Sequence, residues 1–257
     1  MIKSEIGHTT PTEITLRGKN LATEIIGQKD FVETWIFSAL GRWPTPEEKA
    51  VINAVLVLSL DHGLMPSVIA TRMTLLGAPE SIPGAVAAGL LGAGSRYLGP
   101  SAMVAKRFGE WTADLTEEAS DAAIEQRADE IVAEQAASRK IILGYGHPIH
   151  KQGDPRIPAL RQVAKDNGYY RKGWRLADAL LARLEAREPS LPMNAAGGVG
   201  ATVFDLGLDA DFAAGLSLVA RCAGLMAHIL EERANPIAQE IWQMAAQQDE
   251  RVDYGNK

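Results

Sequence analysis

The chain has 257 residues, of which 46% are hydrophobic and 23% charged, and its formal net charge is −6 at pH 7. A chain of this length can bury a sizeable core, as one large domain or as two closely packed lobes. The acidic balance provides no basic face for a nucleic-acid backbone, although a few local Arg and His residues suffice for a small anionic ligand. We therefore predict no nucleic-acid partner.

Cysteine content and hydropathy indicate the cellular compartment that we expect for the protein. The single cysteine, Cys222, cannot form an internal disulfide, and we expect it to be a small core residue rather than a nucleophile. Residues 1–14 lack the apolar segment of a signal peptide. The longest apolar runs, such as residues 54–60, are shorter than the roughly twenty residues that a membrane span needs. These features predict a cytoplasmic protein that does not enter a membrane.

The chain begins with an extended segment and then becomes helical. Residues 13–21 ("EITLRGKNL") alternate like a short strand followed by a turn at Arg-Gly-Lys-Asn. Apolar residues in "DFVETWIFSAL" recur at helical spacing. A second helix is expected after Thr45, which can cap it, with Pro46 in its first position. Further helices are predicted at about 66–77, 81–92, 99–111, 117–138, 155–167, 172–187, 197–206, 209–231 and 235–247.

The predicted architecture is all-α with two lobes. The segment 117–138 is the most charged and is expected to be an exposed amphipathic helix. The charged region 106–140, followed by a Pro- and Gly-containing stretch, suggests a boundary. We therefore predict a large helical domain formed by 1–105 and 193–257, with a smaller domain, 106–192, inserted between them.

One irregular segment concentrates polar chemistry, "LGYGHPIHKQGDPRIPAL" at 143–160. Gly144 and Gly146 would let the backbone approach a ligand closely, and Pro148 should hold His147 in an extended conformation. Asp154 and Pro155 are typical of a helix start, which places Arg156 in the first turn with a planar fork of donors for a carboxylate. A structural loop followed by a capped helix is the alternative.

Two further segments carry charge in apolar surroundings. His62 ends an apolar helix in "LSLDHGLMPS" and, by itself, is more typical of a packed or helix-capping histidine than of a ligand-binding one. Arg221 lies inside the apolar "LVARCAGLMAHIL" and needs an anionic partner, either a ligand or a nearby acid. His228, seven residues further on, is expected to be a core residue.

These segments resemble the citrate synthase family. "GYGHPIHKQGDPR" resembles its Gly-x-Gly-His to Asp-Pro-Arg signature, "LDHG" its first active-site histidine segment, and "ARCAGLMAHILEE" its late arginine-bearing helix. The short length and "LGAGSRYLGPSAMVAKRF" are most similar to citryl-CoA lyase and the citrate-synthase-like part of ATP-citrate lyase. The resemblance implies the family's helical two-domain fold, a CoA thioester as substrate and a homodimer or higher homo-oligomer.

The resemblance also implies residue roles. His62 would bind a carboxylate of the oxaloacetate half, and Arg156 and Arg221 would hold the carboxylates. His147 would contact the carbonyl or hydroxyl oxygen, polarising it in synthesis and accepting its proton in cleavage. The CoA side would be formed by Gly144, Tyr145, Gly146 and Lys151.

Two positions depart from the family pattern. Leu98 stands where citrate synthases have a histidine that donates to the thioester oxygen, a difference shared by the lyase-type relatives. Ala196 stands where the family has the aspartate that moves the proton at the acetyl methyl group, and Asp205, nine residues further on, cannot simply replace it. An engineered substitution, a natural branch that uses another acid or water, and a branch that only binds acyl-CoA all remain open.

The sequence therefore predicts a citryl-CoA lyase-like enzyme that makes or breaks a C–C bond next to a CoA thioester. The alternatives are a catalytically impaired protein that binds acyl-CoA or a dicarboxylate, and an enzyme acting on a different 2-oxo acid. No metal is predicted, because the histidines lack ligand spacing. The exception is His147 and His150, whose three-residue step spans a Pro-containing loop rather than one helix face.

Overall fold

A computed structural model describes residues 3–138, 141–147 and 149–248. The chain begins with a small antiparallel sheet in the order β1-β2-β3, formed by β1 (Gly7–Thr9), β2 (Ile14–Leu16) and β3 (Lys19–Asn20). Arg17 and Gly18 both have positive φ, 49° and 77°, as a two-residue hairpin turn requires. The predicted turn is therefore confirmed but shorter, because Lys19 and Asn20 already pair with β2.

The described residues contain eleven α-helices after a short π-helical turn at Leu21–Ile25, so the all-α prediction is confirmed. Every helix predicted from the sequence is present, with ends that differ by a few residues. The helices are α1 (Phe31–Leu40), α2 (Pro46–Leu60), α3 (Pro66–Gly77), α4 (Ile82–Tyr97), α5 (Pro100–Trp111), α6 (Asp121–Ser138), α7 (Arg156–Asp166), α8 (Lys172–Arg187), α9 (Ala195–Asp205), α10 (Ala210–Ala234) and α11 (Ala238–Gln247).

Local capping explains where the first long helices begin. The Asp30 carboxylate accepts the backbone N–H of Glu33, whose own side chain accepts the N–H of Asp30, which forms a complete capping box for α1. At α2 the Thr45 hydroxyl accepts the N–H of Glu48, and Pro46 occupies the first helical position. The predicted start of α2 is thereby confirmed.

Helix α10 lies at the centre of the bundle and packs against α2, α3, α4, α5 and α9. A Cβ added at Gly224 would lie 2.0 Å from the carbonyl oxygen of Leu60, so glycine permits the close approach of α10 to the end of α2. By length and composition α10 is the one described helix that could cross a membrane, with a mean hydropathy of 1.6. In this structure Leu216, Leu225 and Ile229 of α10 are buried, whereas Leu218 and Leu230 are exposed.

The main hydrophobic core contains residues from all three predicted segments, 1–105, 106–192 and 193–257. Val104 and Val199 of the predicted large domain and Trp174 of the predicted small one belong to a single buried cluster. Helix α6 packs on α8 and buries Ile124, Ala128, Ile131 and Val132 at three- and four-residue steps, which confirms the predicted amphipathic helix. The two-domain boundaries themselves remain a prediction.

Candidate active site

Three histidines from two distant segments meet at the end of α2. His62 directly follows Asp61, the residue that caps α2, whereas His147 and His150 lie in the loop before α7. The ring centroids are 5.5 Å apart for His62 and His147, 5.4 Å for His62 and His150, and 4.4 Å for His147 and His150. All three are half-buried. The structure thus brings the two predicted catalytic histidines together and adds His150, which the sequence analysis did not assign to catalysis.

Hydrogen bonds to His147 determine which of its nitrogens carries the proton. Its Nδ1 accepts the backbone N–H groups of Ile149 and His150, at 3.1 and 3.0 Å. A nitrogen that accepts hydrogen bonds carries no proton, so the neutral ring carries its proton on Nε2. Burial lowers the pKa of His147, and the charge of His150 lowers it further. In this tautomer Nε2 donates a hydrogen bond, which fits polarisation of a carbonyl but not the predicted acceptance of a hydroxyl proton.

His62 is held by His150 rather than by a helix end. Its Nε2 lies 3.2 Å from Nε2 of His150, so one of these two nitrogens donates and the other accepts. Its Nδ1 is buried and has no hydrogen-bond partner among the described residues. Burial lowers the pKa of His62, and the charge of Arg156 lowers it further. The imidazole therefore stays neutral and retains hydrogen-bonding capacity that the protein does not use.

Arg221 is a buried charged residue of the site. The residue is only 8% exposed, yet its Nε and Nη1 have no hydrogen-bond partner among the described residues. The nearest carboxylate oxygen, Oδ1 of Asp61, is 3.9 Å from Nη1. Burial lowers the pKa of Arg221, and the positive charge of Arg156 acts in the same direction. A buried guanidinium with free donors and a second guanidinium nearby calls for an anionic ligand.

Arg156 is positioned by an acid immediately before its helix. Its Nε and Nη2 donate to the two oxygens of Asp154, at 2.9 and 2.7 Å, and its backbone N–H donates to the same carboxylate. Asp154 is buried, so this pair is fixed. The Nε–Nη2 edge of the guanidinium is therefore used within the protein. The donors left for a ligand lie on the Nη1 side, where Nη1 also lies 3.5 Å from the carbonyl oxygen of Leu58. Helix α7 also begins one residue later than predicted, with Pro155 in the capping position.

Gly144 and Gly146 hold the loop against the segment that leads into α9. A Cβ at Gly144 would lie 2.8 Å from Cα of Gly197, and the carbonyl of Gly144 accepts the N–H of Asn194 at 2.9 Å. The N–H of Gly146 donates to the carbonyl of Pro192 at 2.7 Å. This N–H is thus used within the protein, and both glycines have a positive φ, 97° at Gly144 and 80° at Gly146, which favours glycine. Their predicted contact with CoA remains a prediction.

The other two residues predicted for the CoA side lie in different environments. The hydroxyl of Tyr145 donates to the carbonyl of Ala177 on α8, 2.7 Å away, and its ring packs against the main core. Burial raises the pKa of Tyr145. Lys151 is exposed in the loop before α7. Of these two side chains, only that of Lys151 is available to a phosphate.

Ala196 occupies the second position of α9 and is half-buried beside the glycine loop. Asn194 caps this helix: its side-chain oxygen accepts the N–H of Gly197 at 3.2 Å, and its Nδ2 donates to the carbonyl of Gly146 at 2.7 Å. Because Gly146 directly precedes His147, the position of Ala196 is tied to the histidine loop.

Asp205 lies at the opposite end of α9, roughly 13 Å along the helix axis from Ala196. Its carboxylate accepts hydrogen bonds from the backbone N–H groups of Arg171, Gly173 and Trp174 and so caps the N-terminus of α8. Burial raises the pKa of Asp205 to about 6, against the effect of these three donors. Asp205 therefore stabilises the start of α8, far from Ala196.

The histidine cluster also has the composition of a metal site. One ring nitrogen from each of His62, His147 and His150 lies within 4.8 Å of the others, a proximity that the sequence spacing did not predict. Metal-bound imidazole nitrogens are neutral and lie about 2 Å from the ion. However, Nδ1 of His147 already accepts two amides, and the charges of Arg156 and Arg221 both act on His62. This electrostatic environment favours an anion over a cation.

The helical fold and this cluster of imidazoles and guanidiniums define a protein of the citrate synthase type. The family model described as "Citrate synthase, C-terminal domain" matches residues 13–244. The chain therefore belongs to the citrate synthase family.

Individual relatives come from both the synthase and the lyase branches. Citrate synthase 2 of Bacillus subtilis is 27% identical over 212 residues, which cover 79% of this chain and 52% of that protein. The chain thus spans about half the length of the curated relative. The structure of citryl-CoA lyase from Hydrogenobacter thermophilus has a TM-score of 0.81 at 26% identity and covers 100% of this chain and 95% of that one. An aspartate-to-alanine mutant of Methanosaeta concilii ATP citrate lyase, in complex with (3S)-citryl-CoA, has a TM-score of 0.71 at 19% identity, covering 91% of this chain and 39% of that chain.

Proposed function

We propose that this protein forms or cleaves the C–C bond next to a CoA thioester, with citryl-CoA to acetyl-CoA plus oxaloacetate as the leading reaction. The observation that carries the proposal is the buried guanidinium of Arg221, whose Nε and Nη1 lack partners among the described residues. Oxaloacetate and the citryl group each carry two carboxylates. The carboxylate oxygens of such a dianion would accept hydrogen bonds from Arg221, from the Nη1 side of Arg156 and from His62. The described residues leave hydrogen-bonding capacity unused on each of these side chains.

The likeness to a citryl-CoA lyase structure, at a TM-score of 0.81 and 26% identity, supports the lyase reaction. Leu98 in place of the synthase histidine supports the same branch. We therefore expect a CoA thioester and a dicarboxylate as ligands, and a homodimer as the assembly.

The chemistry requires two proton transfers. In cleavage the hydroxyl oxygen loses its proton to water and becomes a carbonyl, the C–C bond breaks, and its electron pair forms the thioester enolate, which takes a proton from water at the methyl carbon; synthesis is the reverse. His147 donates from Nε2 to the oxygen and stabilises the negative charge that develops on it. Loss of one such preorganised donor typically costs about 10²- to 10³-fold in rate.

The proton at the methyl carbon has no evident side-chain donor, since Ala196 replaces the family's aspartate. An impaired protein that binds acyl-CoA or a dicarboxylate is therefore the second candidate, and Ala196 is the observation that favours it. A different 2-oxo acid is the third, because it would require only small changes around Arg156 and Arg221.

Citryl-CoA turnover measured beside calorimetric titrations of CoA and oxaloacetate separates these candidates. The proposed enzyme cleaves citryl-CoA, and His147→Gln lowers the rate by about 10²- to 10³-fold. His8→Gln, in the exposed strand β1, is the matched control and leaves the rate unchanged. Binding of both ligands without turnover would establish the binding protein. Absence of both binding and turnover would refute the proposal.

A further inference from the structure

A second polar cluster lies directly behind the site, where α3 meets α10. Arg72 of α3 is only 1% exposed, and its Nη1 donates to Glu232 at 2.6 Å. Its Nη2 contacts Glu231 and lies 2.8 Å from Nδ1 of His228. His228, expected to be a core residue, is half-buried, and both of its ring nitrogens are hydrogen-bonded.

The direction of these hydrogen bonds follows from the donors available. Arginine has no acceptor, so Nδ1 of His228 accepts from Arg72 and carries no proton. The neutral ring then carries its proton on Nε2, which donates to Oδ1 of Asp61 at 2.8 Å. The other oxygen of Asp61 accepts the N–H of Gly63 at 2.9 Å. Asp61 is thereby held from both sides.

Asp61 connects this cluster to the anion-binding residues. Its Oδ1 lies 3.9 Å from Nη1 of Arg221, and its charge opposes the lowering of the Arg221 pKa. It is also the residue directly before His62. Arg221 and His228 are seven residues apart on α10, about two helical turns, and the two side chains approach the same carboxylate oxygen.

We propose that His228 is a positioning residue, which holds Asp61 so that its carboxylate keeps Arg221 and His62 oriented for a dicarboxylate. Arg72 fixes the tautomer of His228, and Glu231 and Glu232 anchor Arg72. The identity of the ligand rests on the proposed function, whereas the Arg72–His228–Asp61–Arg221 chain of contacts does not.

The test compares His228→Leu with His228→Gln. Glutamine can accept from Arg72 through its oxygen and donate to Asp61 through its nitrogen, whereas leucine does neither. We expect His228→Leu to weaken oxaloacetate binding about tenfold, the scale of a lost hydrogen bond to a charged group, and His228→Gln to retain most of the affinity. The affinity for CoA should stay unchanged in both, and in turnover the KM for the dicarboxylate should rise more than kcat falls.

A double-mutant cycle with Arg221→Ala shows whether His228 acts through Arg221. If it does, His228→Leu has little further effect on oxaloacetate affinity once Arg221 is gone. Equal losses in the leucine and glutamine variants, an unchanged leucine variant, or fully additive effects would overturn the proposal. If His228→Leu fails to fold, as judged by circular dichroism, Asp61→Asn replaces it and is expected to weaken oxaloacetate binding in the same way.

An NMR measurement without substrate tests the positioning role of His228 independently of the proposed function. The ¹⁵Nε resonance of Arg221, assigned through Arg221→Lys, should shift in His228→Leu and stay near its original position in His228→Gln. A wild-type protein that binds no oxaloacetate would refute the proposed function, and the resonance would still decide the positioning role. An unshifted resonance in His228→Leu would refute that role.

Discussion

The side-chain amide of Asn194 donates a hydrogen bond of 2.7 Å to the carbonyl oxygen of Gly146. Asn194 caps the helix that carries Ala196, and Gly146 directly precedes His147, so this contact couples the position of Ala196 to that of His147. The loop cannot shift away from α9 without breaking it. A group introduced at position 196 is therefore expected to be held close to the histidine loop.

Ala196→Asp should restore the missing proton-transfer group. We expect the rate of citryl-CoA cleavage or formation to rise by roughly two or more powers of ten, the usual scale for general acid–base catalysis. Substrate affinity should change little, because such a group acts mainly in the transition state. Ala196→Asn, of the same shape but without an ionisable proton, is the matched control. An inert Ala196→Asp in a natural protein that turns over briskly would mean that this branch uses another acid.

Arg221→Lys should weaken binding of the dicarboxylate. A lysine offers a point charge instead of a planar fork, and hydrogen bonds from Nε and Nη1 to a carboxylate would be lost. We expect roughly 10- to 100-fold lower oxaloacetate affinity by calorimetry, the range for lost hydrogen bonds to a charged group. Arg183→Lys, on the α6–α8 surface beside Asp129, is the control and should bind normally.

Arg156→Lys should also weaken oxaloacetate binding, by a different route. The substitution removes a donor to the ligand and breaks the two-point pairing with the buried Asp154, so a loss of thermal stability should accompany the loss of affinity. Unchanged affinity in both Arg156→Lys and Arg221→Lys would remove the main argument for a dicarboxylate site.

The partly buried rings of His62 and His147 should make the protein sensitive to mild acid. Burial lowers the pKa values of His62 and His147 below the usual 6.5 or so, so the unfolded chain binds more protons than the folded one near that pH. The free energy of unfolding should therefore fall as the pH drops through 6.5, until the pH lies below the folded pKa values. Denaturation measured from pH 7.5 to 5 should show a smaller loss in a His62→Asn, His147→Asn double variant. If the double variant lost as much free energy of unfolding as the wild type, His62 and His147 would not be neutral in the folded protein.

The protein should form a dimer through the exposed apolar side of α4 and α10. Leu91 is 82% exposed and Leu230 is 62% exposed, on two helices that pack against each other, so a second copy could bury both side chains. Light scattering at micromolar concentration should give twice the chain mass of 27.6 kDa. Leu91→Glu should shift the mass towards one chain, whereas Ile141→Glu, which lies before the histidine loop, should not. A wild-type mass of one chain would count against the dimer.

Metal removal should leave the site functional. The guanidiniums near His62 and the amides bonded to Nδ1 of His147 favour an anion, so protein treated with EDTA should bind oxaloacetate with unchanged affinity. Elemental analysis should find far less than one zinc, cobalt or nickel ion per chain. A stoichiometric ion bound by wild type and lost in His150→Ala would instead establish a metal site.

Much of the helical architecture could be predicted because it depends on neighbours in the chain. Helix α2 begins where Thr45 can cap it and where Pro46 has no N–H to lose, and α6 shows its buried face as a repeat of apolar residues. The glycine loop and the Asp-Pro-Arg start of α7 were likewise visible, since their residue types restrict the backbone locally.

The sequence by itself determined the family, the helices and the residues His62, His147, Arg156 and Arg221, because motifs and caps act over a few residues. Only the tertiary structure decided how those residues are bonded: that Asp154 occupies one edge of Arg156, that two amides fix the proton of His147 on Nε2, and that His228 reaches Asp61 across 167 positions of the chain. The first two contacts lie within the loop before α7 and depend on its folded conformation, whereas the third joins α10 to the end of α2. In each case the direction of the hydrogen bond depends on which donors and acceptors the fold brings within about 3 Å.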